Sequence, residues 1–120
     1  MRILVVEDNP VNLDLVVQLL EDDHEILTAE DGQAGIDLAL QSQPDLILMD
    51  LSLPRKNGWE ACQALRDSGK LDGTPIVALT AHAIKGDREK ALAAGFDDYV
   101  TKPIDEDQLF AVLERYDPQK

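Results

Sequence analysis

Five polar residues stand where apolar runs stop. Glu7 and Asp8 follow Ile3-Leu4-Val5-Val6, Asp50 follows Leu46-Ile47-Leu48-Met49, Thr80 closes Pro75-Ile76-Val77-Ala78-Leu79, and Lys102 follows a short segment ending at Thr101. Three carboxylates drawn into one crevice repel one another and would raise a pKa unless a cation compensates. A hard divalent ion with oxygen ligands does this. Mg2+, which takes one or two carboxylates and keeps several waters, suits a small open site, with Mn2+ as the alternative ion. Lys102 adds a mobile positive charge able to reach a carboxylate or an incoming phosphoryl oxygen. The Thr80 hydroxyl, with the backbone N–H groups that open the next helix, supplies neutral donors for developing negative charge. A cation, a lysine and a hydroxyl around a candidate carboxylate nucleophile match the needs of phosphoryl transfer, which are positioning and charge stabilisation. The set contains no second base.

These groups meet only if the elements before them end on a common rim. Leu46 to Met49 is apolar without alternation, the pattern of a strand covered on both faces and therefore of a parallel sheet, where ligands bind at the C-terminal strand edge. Ile3 to Val6 and Ile76 to Thr80 read the same way. His24 to Ala29 is half polar and reads as an edge strand, and a last strand runs from Phe96 or Asp97 to Thr101. Between the strands lie helices. Asn9-Pro10 is a cap followed by a first-turn proline, opening a helix to about Asp22 with Asn12, Leu15, Val16, Leu19 and Leu20 on one side. Val11, Leu13 and Val17 add apolar surface away from that stripe, as ordinary scatter or as a docking surface. Asp31-Gly32 opens a helix through about Gln41, with Ile36, Ala39 and Leu40 packed. After the Pro54 to Gly58 loop, Trp59, Cys62 and Leu65 recur at helical spacing up to Ser68-Gly69, and both Trp59 and Cys62 read as packing residues. A helix with Lys85-Gly86-Asp87-Arg88 in its first turns runs to Gly95; Gly86 costs it roughly 1 kcal/mol of propensity, which makes it the least rigid of the set. Asp105 caps the final helix, whose face is Leu109, Val112, Leu113 and Tyr116. Five strand–helix pairs joined by short loops specify a doubly wound parallel sheet with right-handed crossovers.

At 120 residues the chain forms one domain, residues 1–120, with no repeat or linker. A net charge of -13, with no run among its 11 Lys and Arg, argues against a nucleic-acid backbone as partner. Cys62 is the sole cysteine and has no internal disulfide partner, which suits a reducing compartment. The first apolar run is too short for a signal peptide or membrane span, so cytoplasm, without membrane attachment, is the expectation.

In this order and at these spacings the sequence resembles the receiver domain of two-component response regulators, from Arg2 to about Arg115. The pattern is an acidic pair after the first strand (Glu7-Asp8), an Asp after the third followed by a Pro and a Gly (Asp50, Pro54, Gly58), Thr with a small neighbour after the fourth (Thr80-Ala81), and Lys-Pro after the fifth (Lys102-Pro103). The resemblance implies a flavodoxin-like, chemotaxis-regulator-like (βα)5 fold with strand order 2-1-3-4-5. It implies that Asp50 takes a phosphoryl group from a phosphohistidine on a sensor histidine kinase or histidine phosphotransfer protein, and that the domain catalyses its own dephosphorylation without turning over a separate substrate. Asp8 and Asp50 would bind Mg2+ through carboxylates, Ser52 through its backbone oxygen and Glu7 through water. Thr80 and the Ala81 N–H would hold phosphoryl oxygens; Lys102 would pair with Asp50 before transfer and with the phosphoryl group after it. Thr80 and Tyr99 would be the switch residues, Pro54, Gly58 and a cis Lys102-Pro103 bond the structural ones. Ser52 and His82 occupy positions that in the family tune phosphoryl loss. Val11, Leu13 and Val17 fall where the family's first helix docks the partner, and homodimerisation on phosphorylation and a downstream protein target are further expectations. The first acidic position being Glu is a variant whose longer arm still reaches through water. With no effector module after Gln119-Lys120, a stand-alone receiver and a piece of a larger regulator or hybrid kinase both fit.

Other classes fit less well. A receiver that works by protein contact without phosphorylation would not need the complete acidic set. An aspartyl-nucleophile phosphatase carries a second Asp two residues on, where this chain has Ser52. A flavin carrier of the same architecture would find its phosphate repelled by Glu7-Asp8, and no G-x-x-x-x-G-K motif is present for nucleotide hydrolysis.

Overall fold

The computed structural model describes residues 1–81 and 87–117. In them β1 (Arg2–Val6), β2 (Glu25–Ala29), β3 (Leu46–Asp50), β4 (Ile76–Thr80) and β5 (Asp98–Thr101) alternate with α1 (Pro10–Leu20), α2 (Gly32–Ser42), α3 (Gly58–Asp67), α4 (Asp87–Ala93) and α5 (Glu106–Tyr116). All strand pairings are parallel and the order is β2-β1-β3-β4-β5, the flavodoxin-like arrangement expected from the sequence. The half-polar strand β2 lies at an edge, as its composition requires.

The unbroken apolar runs follow from helices on both faces. Successive strand residues point to opposite sides. Ile3, Val5, Leu46, Leu48, Val77 and Leu79 pack with Val16 and Leu20 of α1 and with Leu109, Val112 and Leu113 of α5. Their neighbours Leu4, Val6, Ile47, Met49, Ile76 and Ala78 pack with Ile36 and Ala39 of α2, with Ala61, Cys62 and Leu65 of α3, and with Ala91 of α4. Each fully buried aliphatic side chain contributes roughly 1.5–3 kcal/mol, so β3, buried at every position, is a rigid mount for its last residue.

Side-chain caps start the helices at the places the sequence marks. Asn9 accepts from the N–H groups of Val11 and Asn12, Asp31 from Ala34, and Asp105 from Asp107 and Gln108. Asn57 and Glu60 form a reciprocal capping box at α3, each such cap being worth about 1 kcal/mol.

Two expectations shift. On α1, Leu15 is 39% exposed, whereas Leu13 is half-buried and packs on the α1–α5 side of the core. The helix offers two apolar stripes one position apart, and its approach to the sheet selects Leu13, Val16 and Leu20. Leu13 is therefore not surplus; Val17 is half-buried and Val11 is 74% exposed. The last strand starts at Asp98 because Phe96 turns into the core, where its ring meets Trp59 edge-on at 5.6 Å and 86°. Cys62 is fully buried and burial pushes its thiol up to about 11, in keeping with a packing role. The Lys85-Gly86 start expected for the fourth helix lies outside the described residues.

Candidate functional site

Register alone assembles the rim. Val6 pairs with Met49, so Glu7 and Asp50 are the next residues on adjacent strands; Asp50 pairs with Leu79 and Thr80 with Thr101, which brings Thr80 and Lys102 to the same edge. The Lys102 Nζ donates to Glu7 Oε1 at 2.7 Å and to Asp50 Oδ2 at 3.0 Å. Asp50 Oδ1 accepts from the Ser52 N–H at 3.0 Å. Glu7, Asp50 and Thr80 are the buried polar or charged side chains among the described residues, so the interior spends its polar residues here.

Burial, with Asp50 adjacent, pushes Glu7 up to about 7 against the opposing pull of Lys102. Burial also works against an ionised Asp50, yet the Glu7 side chain, the Ser52 N–H and Lys102 together hold it below its ordinary value. Lys102 is partly desolvated, which favours its neutral form, but its two carboxylate partners raise its pKa above the usual lysine value. The pair of buried acids thus divides its roles: Asp50 stays an anion and Glu7 is the proton-sensitive member.

One oxygen from each of Glu7, Asp8 and Asp50 lies within 4.8 Å of the others. Asp8 is exposed, so the cluster opens to water. The Oε2 of Glu7 is buried and has no hydrogen-bond partner, the single such side-chain atom among the described residues. Leaving an acceptor in that state costs about 1–3 kcal/mol. A hard cation with its waters would satisfy it, and an all-oxygen, partly hydrated donor set is the kind that Mg2+ takes; the residues present fit the ion.

The backbone around the site is tightly constrained. A Cβ on Gly58 would fall 2.1 Å from the Asp50 carbonyl oxygen, so the β3–α3 loop closes only over glycine, and the Gly58 N–H donates to Leu51 O at 3.1 Å. Lys102-Pro103 is cis, as the resemblance implied, and the Lys102 N–H donates to Thr80 O at 2.7 Å. Ala81 and Ser52 are exposed at the rim, and Pro54 is exposed in the loop. Tyr99 pairs in register with Ala78 and is half-buried against the α2–α4 side of the core. His82 lies outside the described residues. Sequence reasoning missed the direct Lys102–Glu7 contact, since it assigned the lysine to Asp50 alone; the length of Glu compared with Asp at position 7 was the available signal.

The sheet order and its rim of acids, hydroxyl and lysine define a class, the receiver domains of two-component systems, which implies phosphoacceptor signalling. Residues 3–114 match the family model of the response regulator receiver domain, and the chain belongs to that family. Among curated relatives, it is 41% identical over 119 residues to the signal transduction histidine-protein kinase BarA of Escherichia coli (strain K12), covering 98% of this chain and 13% of that protein. It is 36% identical over 115 residues to the polar-differentiation response regulator DivK of Brucella anthropi, covering 95% and 94% of the two chains. The receiver domain of the sensor histidine kinase PA1611 of Pseudomonas aeruginosa PAO1, described with a magnesium ion coordinated in its active site cleft, superposes with a TM-score of 0.88 at 38% identity over 96% of this chain and 95% of that one. The chemotaxis response regulator CheY4 of Vibrio cholerae gives 0.90 at 28% identity, over 96% and 97%. The chain thus spans 13% of the length of the kinase BarA, but nearly all of DivK. No helix among the described residues is long and apolar enough to cross a membrane.

Proposed function

We propose that Asp50 is the phosphoacceptor of a phosphorylation-switched signalling domain, charged by a phosphohistidine on a histidine kinase or phosphotransfer protein. A carboxylate oxygen of Asp50 bonds to phosphorus as the phosphorus–nitrogen bond to the donor imidazole breaks. Asp50 is suited to this because its neighbours hold it ionised while the buried β3 holds it still. Asp8 and Asp50, with the Ser52 carbonyl and with Glu7 through water, would hold Mg2+, which when bound would supply positive charge to offset that on the transferring group. Lys102 exchanges its Asp50 contact for a phosphoryl oxygen, and Thr80 and the Ala81 N–H take the others. Thr80 moving toward the phosphoryl group and Tyr99 turning inward carry the switch to a downstream protein, and Ser52 and His82 set the rate at which water regenerates Asp50. Val11 and Val17 on α1 meet the donor, while Leu13 serves the core.

The observation that carries this reading is the Lys102 bridge between two buried carboxylates, one of which keeps an unpartnered oxygen beside the open Asp8. Incubation with Mg2+ and acetyl phosphate is expected to add the mass of one phosphoryl group, and Asp50→Asn to abolish the addition. No addition from either acetyl phosphate or a phosphorylated histidine donor would overturn the proposal in favour of a receiver that acts by protein contact alone.

A further inference from the structure

The loop from β3 to α3 carries Ser52 and then turns sharply. The Lys56 N–H donates to Pro54 O at 2.7 Å, and Arg55 between them sits in the left-handed region at φ 67, a conformation uncommon for a residue other than glycine. This turn is seated on the first residue of α2. A Cβ on Gly32 would fall 1.7 Å from Lys56 O and 2.6 Å from its carbonyl carbon, so only a hydrogen fits beneath the turn. The Gly32 N–H points to Pro54 O at 3.5 Å. Asp31 uses Oδ1 to cap α2 at the Ala34 N–H and places Oδ2 3.4 Å from the Arg55 guanidinium. That ion pair is long and Arg55 is mostly exposed, so it contributes little; the close backbone approach is the substantial contact. At its other end the loop closes on Gly58 against the Asp50 carbonyl. Ser52 therefore lies in a segment pinned on both sides by glycines, each the first residue of a helix that contributes nothing to the carboxylate cluster.

We propose that Gly32 is a positioning residue for the metal-binding loop: by admitting the Pro54–Lys56 turn onto the start of α2, it fixes the loop so that Ser52 is presented beside Asp50. The inference rests on the reading of the rim as a Mg2+ site. Mg2+ tolerates little departure from octahedral geometry, so a loop displaced by a methyl group at its seat loses affinity for the ion although no ligand has changed. The Ser52 N–H bond to Asp50 Oδ1 loosens with it.

The test is calorimetric titration of Mg2+ into the wild-type chain and four variants, with hydrogen exchange of the Ser52 amide measured in metal-free protein. Gly32→Ala is expected to weaken Mg2+ binding by about tenfold or more, the range of outer contacts to a metal site, and to speed Ser52 exchange. Arg55→Pro cannot adopt the positive φ, sits on an exposed residue, and should move both readouts the same way; it decides the matter if Gly32→Ala fails to fold. Arg55→Gly keeps the turn while losing the ion pair and should bind as wild type. Gly95→Ala is the control for general destabilisation: its φ is 107 and an added Cβ would meet Arg66 Cγ at 2.9 Å, far from the rim. It should lower stability with affinity and Ser52 exchange unchanged. Wild-type affinity in both Gly32→Ala and Arg55→Pro, or an equal loss in Gly95→Ala, overturns the inference. A wild-type chain that binds no Mg2+ overturns the reading of the rim itself, and the first titration separates the two failures.

Discussion

Replacing Lys102 by Met removes the ammonium from two buried carboxylates while nearly preserving its volume. The Glu7 side chain is 0% and the Asp50 side chain 5% exposed, and the lysine itself only 17%. Removing one partner from such a buried set costs about 3–5 kcal/mol when the remaining charge stays uncompensated. Glu7 can limit that cost by taking a proton. Its folded pKa, about 7, lies above the ordinary 4.5, so the folded chain holds the extra proton and stability falls as pH rises through that window. Asp50 has the opposite sign: its lowered pKa gives stability that is present above its ordinary value of 3.8 and lost as pH falls through the lowered one. Without Lys102, which pulls Glu7 down, the Glu7 window extends upward. Lys102→Met should therefore cost about 3 kcal/mol at pH 8 and about 1 kcal/mol at pH 5.5. Urea unfolding followed by the single tryptophan, Trp59, reads this as a midpoint lower by about 2 M at pH 8. Mg2+ at about a hundred times its dissociation constant should restore about 2.7 kcal/mol. Adding Glu7→Gln should recover part of the loss. A loss of equal size at both pH values and indifferent to Mg2+ would refute the electrostatic account, leaving Lys102 as a packing residue.

Two further outcomes test the scaffold. Cys62 is fully buried with its thiol pushed up to about 11, so at pH 8 it should react with a disulfide reagent at least about a thousandfold more slowly in the native chain than in urea; comparable rates would contradict its placement on the core-facing side of α3. The Arg66 guanidinium donates to the carbonyls of Gly95, Leu71 and Thr74 and to Asp97, which also accepts from the Ile76 N–H. Arg66→Ala should lower stability by about 3 kcal/mol and leave Mg2+ affinity unchanged, because this knot lies at the opposite end of the strands from the rim; a loss below about 1 kcal/mol by urea unfolding would count against it.

What the sequence made legible was whatever depends on strand ends. The unbroken run from Leu46 to Met49 implies helices on both faces, and parallel strands then force Asp50, Glu7, Thr80 and Lys102 onto one edge without further information. The choice between Leu13 and Leu15 was not legible, since α1 carries two apolar stripes and only the packing angle selects one. Nor was the Lys102–Glu7 contact, which depends on how deep a side chain one methylene longer than Asp reaches into the interior. The seat of the β3–α3 loop on Gly32 left only an Asp-Gly pair in the sequence, and that reads equally well as a plain helix start. Such approaches between elements distant in sequence have no periodicity to betray them.

The central claim, that Asp50 is the phosphoacceptor and that its occupancy is reported across the rim, is tested most directly by NMR shifts recorded with Mg2+ alone and with Mg2+ plus beryllofluoride, in wild type and Asp50→Asn. Beryllofluoride should produce changes radiating from Asp50 through Thr80 to Tyr99 in the wild type and none in the variant. Changes confined to the loops around Asp8 and Ser52, or unaltered by Asp50→Asn, would contradict the account.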